Sequence, residues 1–284
     1  MSIARHGRGP VAALQALASQ VHPVFMLPAV AVATFGAILA GSLRPVVAGF
    51  HITAIFFALY TAHVTDGYVD FYVRNEDDDH PLTERGCRLA RGGATLGFVA
   101  AAGALVILVD PWSLVLTLPC WLIAILHAPQ LDTHPLGATL GYPVGIALSL
   151  LGGYYVQAET LLPTPLGIAL VFLVMITGIK IIDDAQDYSY DRSIGKRTVA
   201  VAIGPPMARQ LAATLLVTAM GIVATLSLVL PGMPPSAVLS VLVFLPIAVV
   251  ARRAGPELAT MLLIRGSYVF LAVLVAAVWF RPLV

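Results

Sequence analysis

Nine apolar runs, most of them close to bilayer length, follow one another along this chain. They lie near residues 21–41, 46–65, 92–109, 112–128, 138–157, 163–182, 210–230, 236–251 and 259–280. A helix needs about 20 apolar residues to cross the hydrocarbon core. In lipid, only helices and closed barrels satisfy every backbone N–H and C=O. The runs are continuous rather than alternating, so they read as helices and not as barrel strands. Only 11% of the 284 residues are charged, whereas a soluble domain carries about 25%. The expected fold class is all-α: a polytopic membrane protein with nine transmembrane helices in one bundle, a single domain over residues 1–284.

Proline and glycine punctuate the junctions, as at Asp110-Pro111, Pro163-Thr164-Pro165 and Pro231-Gly232-Met233-Pro234-Pro235. No clear cleavage site follows Arg5 and Arg8 before the first run, so that run reads as a retained span rather than a signal peptide. Numbering the connections alternately puts 12 Lys and Arg on one side: Arg5, Arg8, Arg74, Arg85, Arg88, Arg91, Arg192, Lys196, Arg197, Arg209, Arg252 and Arg253. The other side holds Arg44 and Arg281, while Lys180 and Arg265 lie within spans. The positive-inside rule makes the N-terminus cytoplasmic in a cell-membrane, multi-pass topology. Net charge is +1 and implies no nucleic-acid partner. Cys87 and Cys120 have no metal-ligand spacing and read as ordinary small residues.

Two long polar connections, 66–91 and 183–209, fall on the cytoplasmic side and hold nearly all the acidic residues. Asp183, Asp187 and Asp191 recur every fourth residue, which on a continuous helix stacks three carboxylates on one face. Like charges at such range repel, so the spacing calls for a cation. Mg²⁺ prefers hard oxygens and takes one or two carboxylates plus phosphate oxygens of a ligand. Arg192, Lys196 and Arg197 follow at once, with Gly195 to turn the chain. The plainer alternative is a solvated, charge-laced loop. The first connection repeats the theme with Asp66 and Asp70, then Glu76, Asp77, Asp78 and Asp79. Together they suggest two metal sites, or one clamped from both sides at the mouth of the bundle.

Here the chain resembles the UbiA superfamily of intramembrane aromatic prenyltransferases. Asp183, Asp187 and Asp191 match that family's second motif, D-x-x-x-D-x-x-x-D, and continue as D-R-x-x-G-K-R-T over 191–198. The first family motif, N-D-x-x-D-x-x-x-D, is matched only in its last two aspartates, by Asp66 and Asp70. Ala62 and His63 stand where its opening Asn and Asp belong, with Thr65 and His63 as other polar groups nearby. His80-Pro81-Leu82 takes the place of the Arg-Pro-Leu that often follows. The family's aromatic-plus-basic signature after the fourth helix is replaced by His127, Gln130, Asp132 and His134.

The resemblance implies Mg²⁺-dependent transfer of a prenyl group from a polyprenyl diphosphate to a hydrophobic acceptor: a lipid, a quinone precursor or an isoprenoid. It implies metal ligation and catalysis by Asp66, Asp70, Asp183 and Asp187, with Asp191 as a further ligand. It implies diphosphate contacts from Arg74, Lys180, Arg192, Lys196 and Arg197. Lys180 has two alternatives, pairing with Asp183 or Asp184 and snorkelling to the interface; Arg265 reads as snorkelling. An allylic cation needs a dry pocket with aromatic faces, for which Tyr68, Tyr72, Tyr142, Tyr154, Tyr188 and Tyr190 are nearby. A terpene cyclase on the same scaffold, quenching the cation internally, is the competing activity. A cation carrier is disfavoured, because carriers hold ionisable groups near the midplane.

Overall fold

A computed structural model describes residues 2–230 and 232–281, without the side chain of residue 256; Pro231 of the expected junction lies outside the described residues. Twelve α-helices follow in order: α1 Pro10–Ala18, α2 Pro23–Leu39, α3 Pro45–Tyr68, α4 Glu84–Leu108, α5 Ser113–Leu126 and α6 Pro135–Ala158. Then come α7 Pro163–Gln186, α8 Tyr188–Ser193, α9 Val199–Ile203, α10 Pro205–Val229, α11 Val238–Arg253 and α12 Pro256–Phe280. Proline at the first turn starts several of them, where its missing N–H costs nothing.

Each expected apolar run falls on a helix of this set. Among the described residues, seven helices are long and apolar enough to cross a membrane, and an eighth span results if α1 and α2, bent by 66°, are taken together. The expected count of nine therefore depends on α2 and α5, which at 17 and 14 residues fall short of bilayer length. Helices α2 with α6, α3 with α4, α7 with α10 and α11 with α12 make the main packing pairs. One continuous core joins Phe35, Phe98, Phe172, Phe244 and Phe270.

Without a hydrophobic force between helices in lipid, close packing relies on small residues that let backbones touch. The α2–α6 pair does this reciprocally. A Cβ on Gly36 would sit 2.1 Å from the Leu150 carbonyl oxygen, and one on Gly153 would sit 2.1 Å from that of Ala33. Backbone cannot yield as a side-chain tip can. Gly153→Ala is therefore expected to push α2 from α6 and destabilise the protein by about 1–3 kcal/mol. Gly145→Ala on the same helix meets nothing within 4 Å and is expected to leave the unfolding midpoint in detergent unchanged. Equal midpoints for the two variants would refute the packing argument.

Two local breaks shape the polar end of the bundle. Helix α3 runs into a π-helical turn, Val69–Arg74, which Asn75 ends in the left-handed conformation at φ 55°. Asn tolerates that region better than most residues. Helix α7 stops at Gln186, and Asp187 takes φ −90°, ψ 11° before α8 begins. The three second-motif aspartates thus do not ride one unbroken helix, as the spacing alone would have it. Backbone bonds still step across the break, from Asp187 N–H to the Asp183 carbonyl at 3.3 Å and from Asp191 N–H to that of Asp187 at 2.8 Å.

Candidate active site

One cavity of about 630 Å³ opens at this end. The segments that follow α3, α5 and α7 all reach it, which requires those three connections to share one side of the bundle. Asp66 and Asp70 line one wall; Asp183, Asp187 and Asp191 line the other. Lys180 and Lys196 join the second wall. The lower walls are apolar, from Ile55, Ala58, Ile123, Ile146, Ile176 and Ile179 among others.

On the α7 side, Lys180 Nζ lies 2.5 Å from Asp184 Oδ1 and 3.4 Å from Asp183 Oδ2. Asp184 is buried, and its second oxygen accepts from the Thr139 hydroxyl at 3.2 Å. Thr139 in turn accepts from the Val199 N–H at 3.1 Å. Asp184 is thus held by α6 and α7 together, while Asp183 and Asp187 remain open to the cavity. Burial, then the charge of Asp183, raises the Asp187 carboxyl above its ordinary range. Burial pushes Asp191 up to about 6, opposed by the Lys196 charge. A carboxylate whose ionisation is disfavoured is one that a cation relieves.

Arg74 was expected at the diphosphate. Instead it sits outside the cavity lining, 2.6 Å from Asp132 Oδ2 and 3.6 Å from both Asp70 Oδ1 and Glu76 Oε1. One guanidinium faces three carboxylates. Arg192 and Arg197 are also absent from the cavity lining. The first is exposed and donates to the Tyr188 hydroxyl at 3.4 Å, and the second meets the Asp132 carbonyl through its backbone N–H at 3.0 Å. Of the five expected basic contacts, only Lys180 and Lys196 line the cavity. Thr65 spends its hydroxyl on the Thr61 carbonyl at 2.7 Å, one turn back on its own helix. His63 and Ala62 do line the cavity, and His63 stacks on His22 with ring centroids 4.7 Å apart. His127 lines it too, whereas His134 caps α6 by accepting from the Leu136 N–H at 3.3 Å.

Among the tyrosines, Tyr142 alone of the expected six lines the cavity, joined by Tyr268 from α12. Their hydroxyls are anchored on α2. Tyr142 donates to the Phe25 carbonyl at 3.0 Å, and Tyr268 donates to that of Val24. Pro28 inside α2 has no N–H for the Val24 carbonyl four residues back, so Tyr268 takes the place of the lost helical bond. That Pro28 spacing was the one sequence signal for this contact. Asp77, Asp79 and His80 also line the cavity. Asp79 is tied to His6 at 2.8 Å, which holds its carboxyl below the ordinary range.

The donor set suits a hard cation. Carboxylate oxygens approach from two walls, and Asp70 Oδ1 is buried without a hydrogen-bond partner. Among the described residues no three His, Cys, Asp or Glu side chains draw together into a closed metal shell. Mg²⁺ does not need one, since it commonly keeps waters and takes phosphate oxygens beside one or two carboxylates.

The profile of the UbiA prenyltransferase family matches residues 29–257. The chain belongs to that family. Its fold is that of a UbiA homolog from Archaeoglobus fulgidus bound to GPP and Mg²⁺, with TM-score 0.70 and 17% identity over 94% of this chain and 99% of that one. A UbiA homolog from Aeropyrum pernix K1 is similar at TM-score 0.69 and 14% identity, covering 89% of this chain and 98% of the other. A structure of digeranylgeranylglyceryl phosphate synthase is similar at TM-score 0.71 and 13% identity, over 94% and 98%. No curated protein matches by sequence.

Proposed function

We propose that this chain transfers a prenyl group from a polyprenyl diphosphate to a hydrophobic acceptor within the membrane. The observation that carries this reading is one cavity that joins two aspartate-bearing walls at one end to apolar walls at the other. The fold shared with a relative bound to GPP and Mg²⁺ supports it. Asp66, Asp70, Asp183, Asp187 and Asp191 would hold Mg²⁺, which when bound neutralises the diphosphate and so eases its departure.

The chain's own groups do the rest. Lys180 and Lys196 face the departing diphosphate as fixed cations. Asp184 orients Lys180 from below, where its burial keeps the pair in one geometry. The apolar walls exclude water that would otherwise trap the allylic cation. The rings of Tyr142 and Tyr268 offer it π faces, and their hydroxyls donate to α2 carbonyls, which fixes where the rings stand. Nine spans with a cytoplasmic N-terminus put this mouth on the cytoplasmic side, over a single domain of residues 1–284.

Purified protein with labelled prenyl diphosphate, with and without candidate acceptors, tests the reading. Acceptor-dependent prenylated product is expected. Acceptor-free hydrocarbon would make the enzyme a cyclase instead. Chelation by EDTA is expected to stop diphosphate release, and added Mg²⁺ to restore it; turnover indifferent to chelator would sink the metal-dependent mechanism.

A further inference from the structure

The cavity ends just above a buried polar contact. Its lining runs from Asp66 to Ile55 on α3 and from Ala138 to Ser149 on α6. Each stretch advances 11 positions along its helix, about 16 Å at the α-helical rise. One turn below Ile55, His51 reaches across the bundle, and its Nε2 lies 3.0 Å from the Ser149 carbonyl oxygen. The imidazole is completely buried, and its Nδ1 has no partner. Gly152 leaves the room: a Cβ there would sit 2.5 Å from His51 Cε1. A half-satisfied polar ring at this depth is costly in a membrane bundle, where leucine would pack without penalty.

Building on the prenyl-diphosphate reading, we infer that the His51–Ser149 crossbar sets the length of the prenyl donor. An extended isoprene unit places four carbons in line and advances about 5 Å. With the diphosphate at the carboxylates, about 16 Å takes three units, a C15 chain. The fourth unit of a C20 chain meets the imidazole. Removing the ring extends α3's side of the tunnel by the four residues from Ile55 to His51, about 6 Å, or one more unit. Ala58, two turns below Asp66 on the same wall, is the complementary position. A leucine there would close the tunnel about 12 Å down, near the end of a C10 tail.

The test is binding of C10, C15 and C20 prenyl diphosphates in Mg²⁺, which needs no knowledge of the acceptor. In the wild type, C15 is expected to bind at least about tenfold tighter than C20, the discrimination typical of a hydrophobic pocket for excess length. His51→Ala is expected to tighten C20 by about tenfold while C10, whose tail ends above the floor, is unaffected. Ala58→Leu is expected to weaken C15 by a similar factor and leave C10 alone, which tests the path of the tail along α3; if His51→Ala fails to fold, His51→Val, shorter than the imidazole and able to pack, is read in its place and is expected to tighten C20 likewise. A wild type blind to length, or a C20 affinity unmoved by the folded His51 variant, overturns the floor and leaves prenyl transfer standing. Binding of no length at all overturns the donor reading itself.

Discussion

Asp187→Ala is expected to lower prenyl-diphosphate turnover by about 10²-fold or more while leaving the metal-free protein folded and no less stable. Removing one preorganised group aimed at developing transition-state charge costs about that much, and Asp187 stands between Asp183 and Asp191 on the cavity wall. The stability half follows from its surroundings. The side chain is exposed at the break between α7 and α8, so truncation leaves no hole. Partial loss of water around its carboxyl, then the neighbouring Asp183 charge, raises its pKa. A carboxyl raised in the folded state contributes stability at low pH that is lost as pH rises through the folded value. At neutral pH the ionised group is therefore a strain on the metal-free fold, and alanine relieves it. The matching readout is thermal unfolding with and without Mg²⁺ plus prenyl diphosphate. The wild type should gain stability from the pair by linkage, and the variant should lose that gain. Full turnover by Asp187→Ala would end the assignment of this wall to the metal.

Much of this was legible in the residues because the signals are local. Apolar runs at bilayer length mark helices without reference to anything else, and all nine fall on helices. The fourfold aspartate spacing located the α7 wall, and Asp66 and Asp70 the opposite one. What escaped was set by contacts distant in sequence. The break at Asp187 arises where the chain leaves α7 and turns into α8, and no proline or glycine at that point announces it. Tyr268 was passed over because 244 residues separate it from the α2 carbonyl that anchors it. Helix rotation, which decides whether a ring faces the cavity or lipid, is not written in an apolar run that is apolar all round. The basic residues show the same limit. Charge type said that Arg74, Arg192 and Arg197 could meet an anion, and only the tertiary structure shows that Arg74 already faces three carboxylates and that none of the three arginines lines the cavity.

Arg74 carries the sharpest consequence of that limit. A role as diphosphate ligand predicts that its loss weakens donor binding and leaves the fold intact. Its position predicts the reverse. Asp132 is 4% exposed, and its Oδ2 has Arg74 as its ion-pair partner at 2.6 Å. Stripping one member from a buried pair strands the other charge, at about 3–5 kcal/mol. More than the pair is involved. The Asp132 carbonyl takes the Arg197 N–H, and Glu76 takes the Tyr190 hydroxyl at 3.1 Å. Arg74 therefore ties together the three connections whose meeting forms the mouth of the cavity. Arg74→Met, close in shape but uncharged, is expected to lower the unfolding midpoint in detergent by several degrees. Asp132→Asn in the same background should recover part of that loss, because it removes the stranded charge, and coupling of that size is the signature of a direct pair. Any fall in turnover should track the unfolded fraction instead of appearing as weaker donor binding by the folded protein. A stable Arg74→Met variant with donor affinity reduced tenfold would return Arg74 to the diphosphate and require the mouth to rearrange when the donor enters.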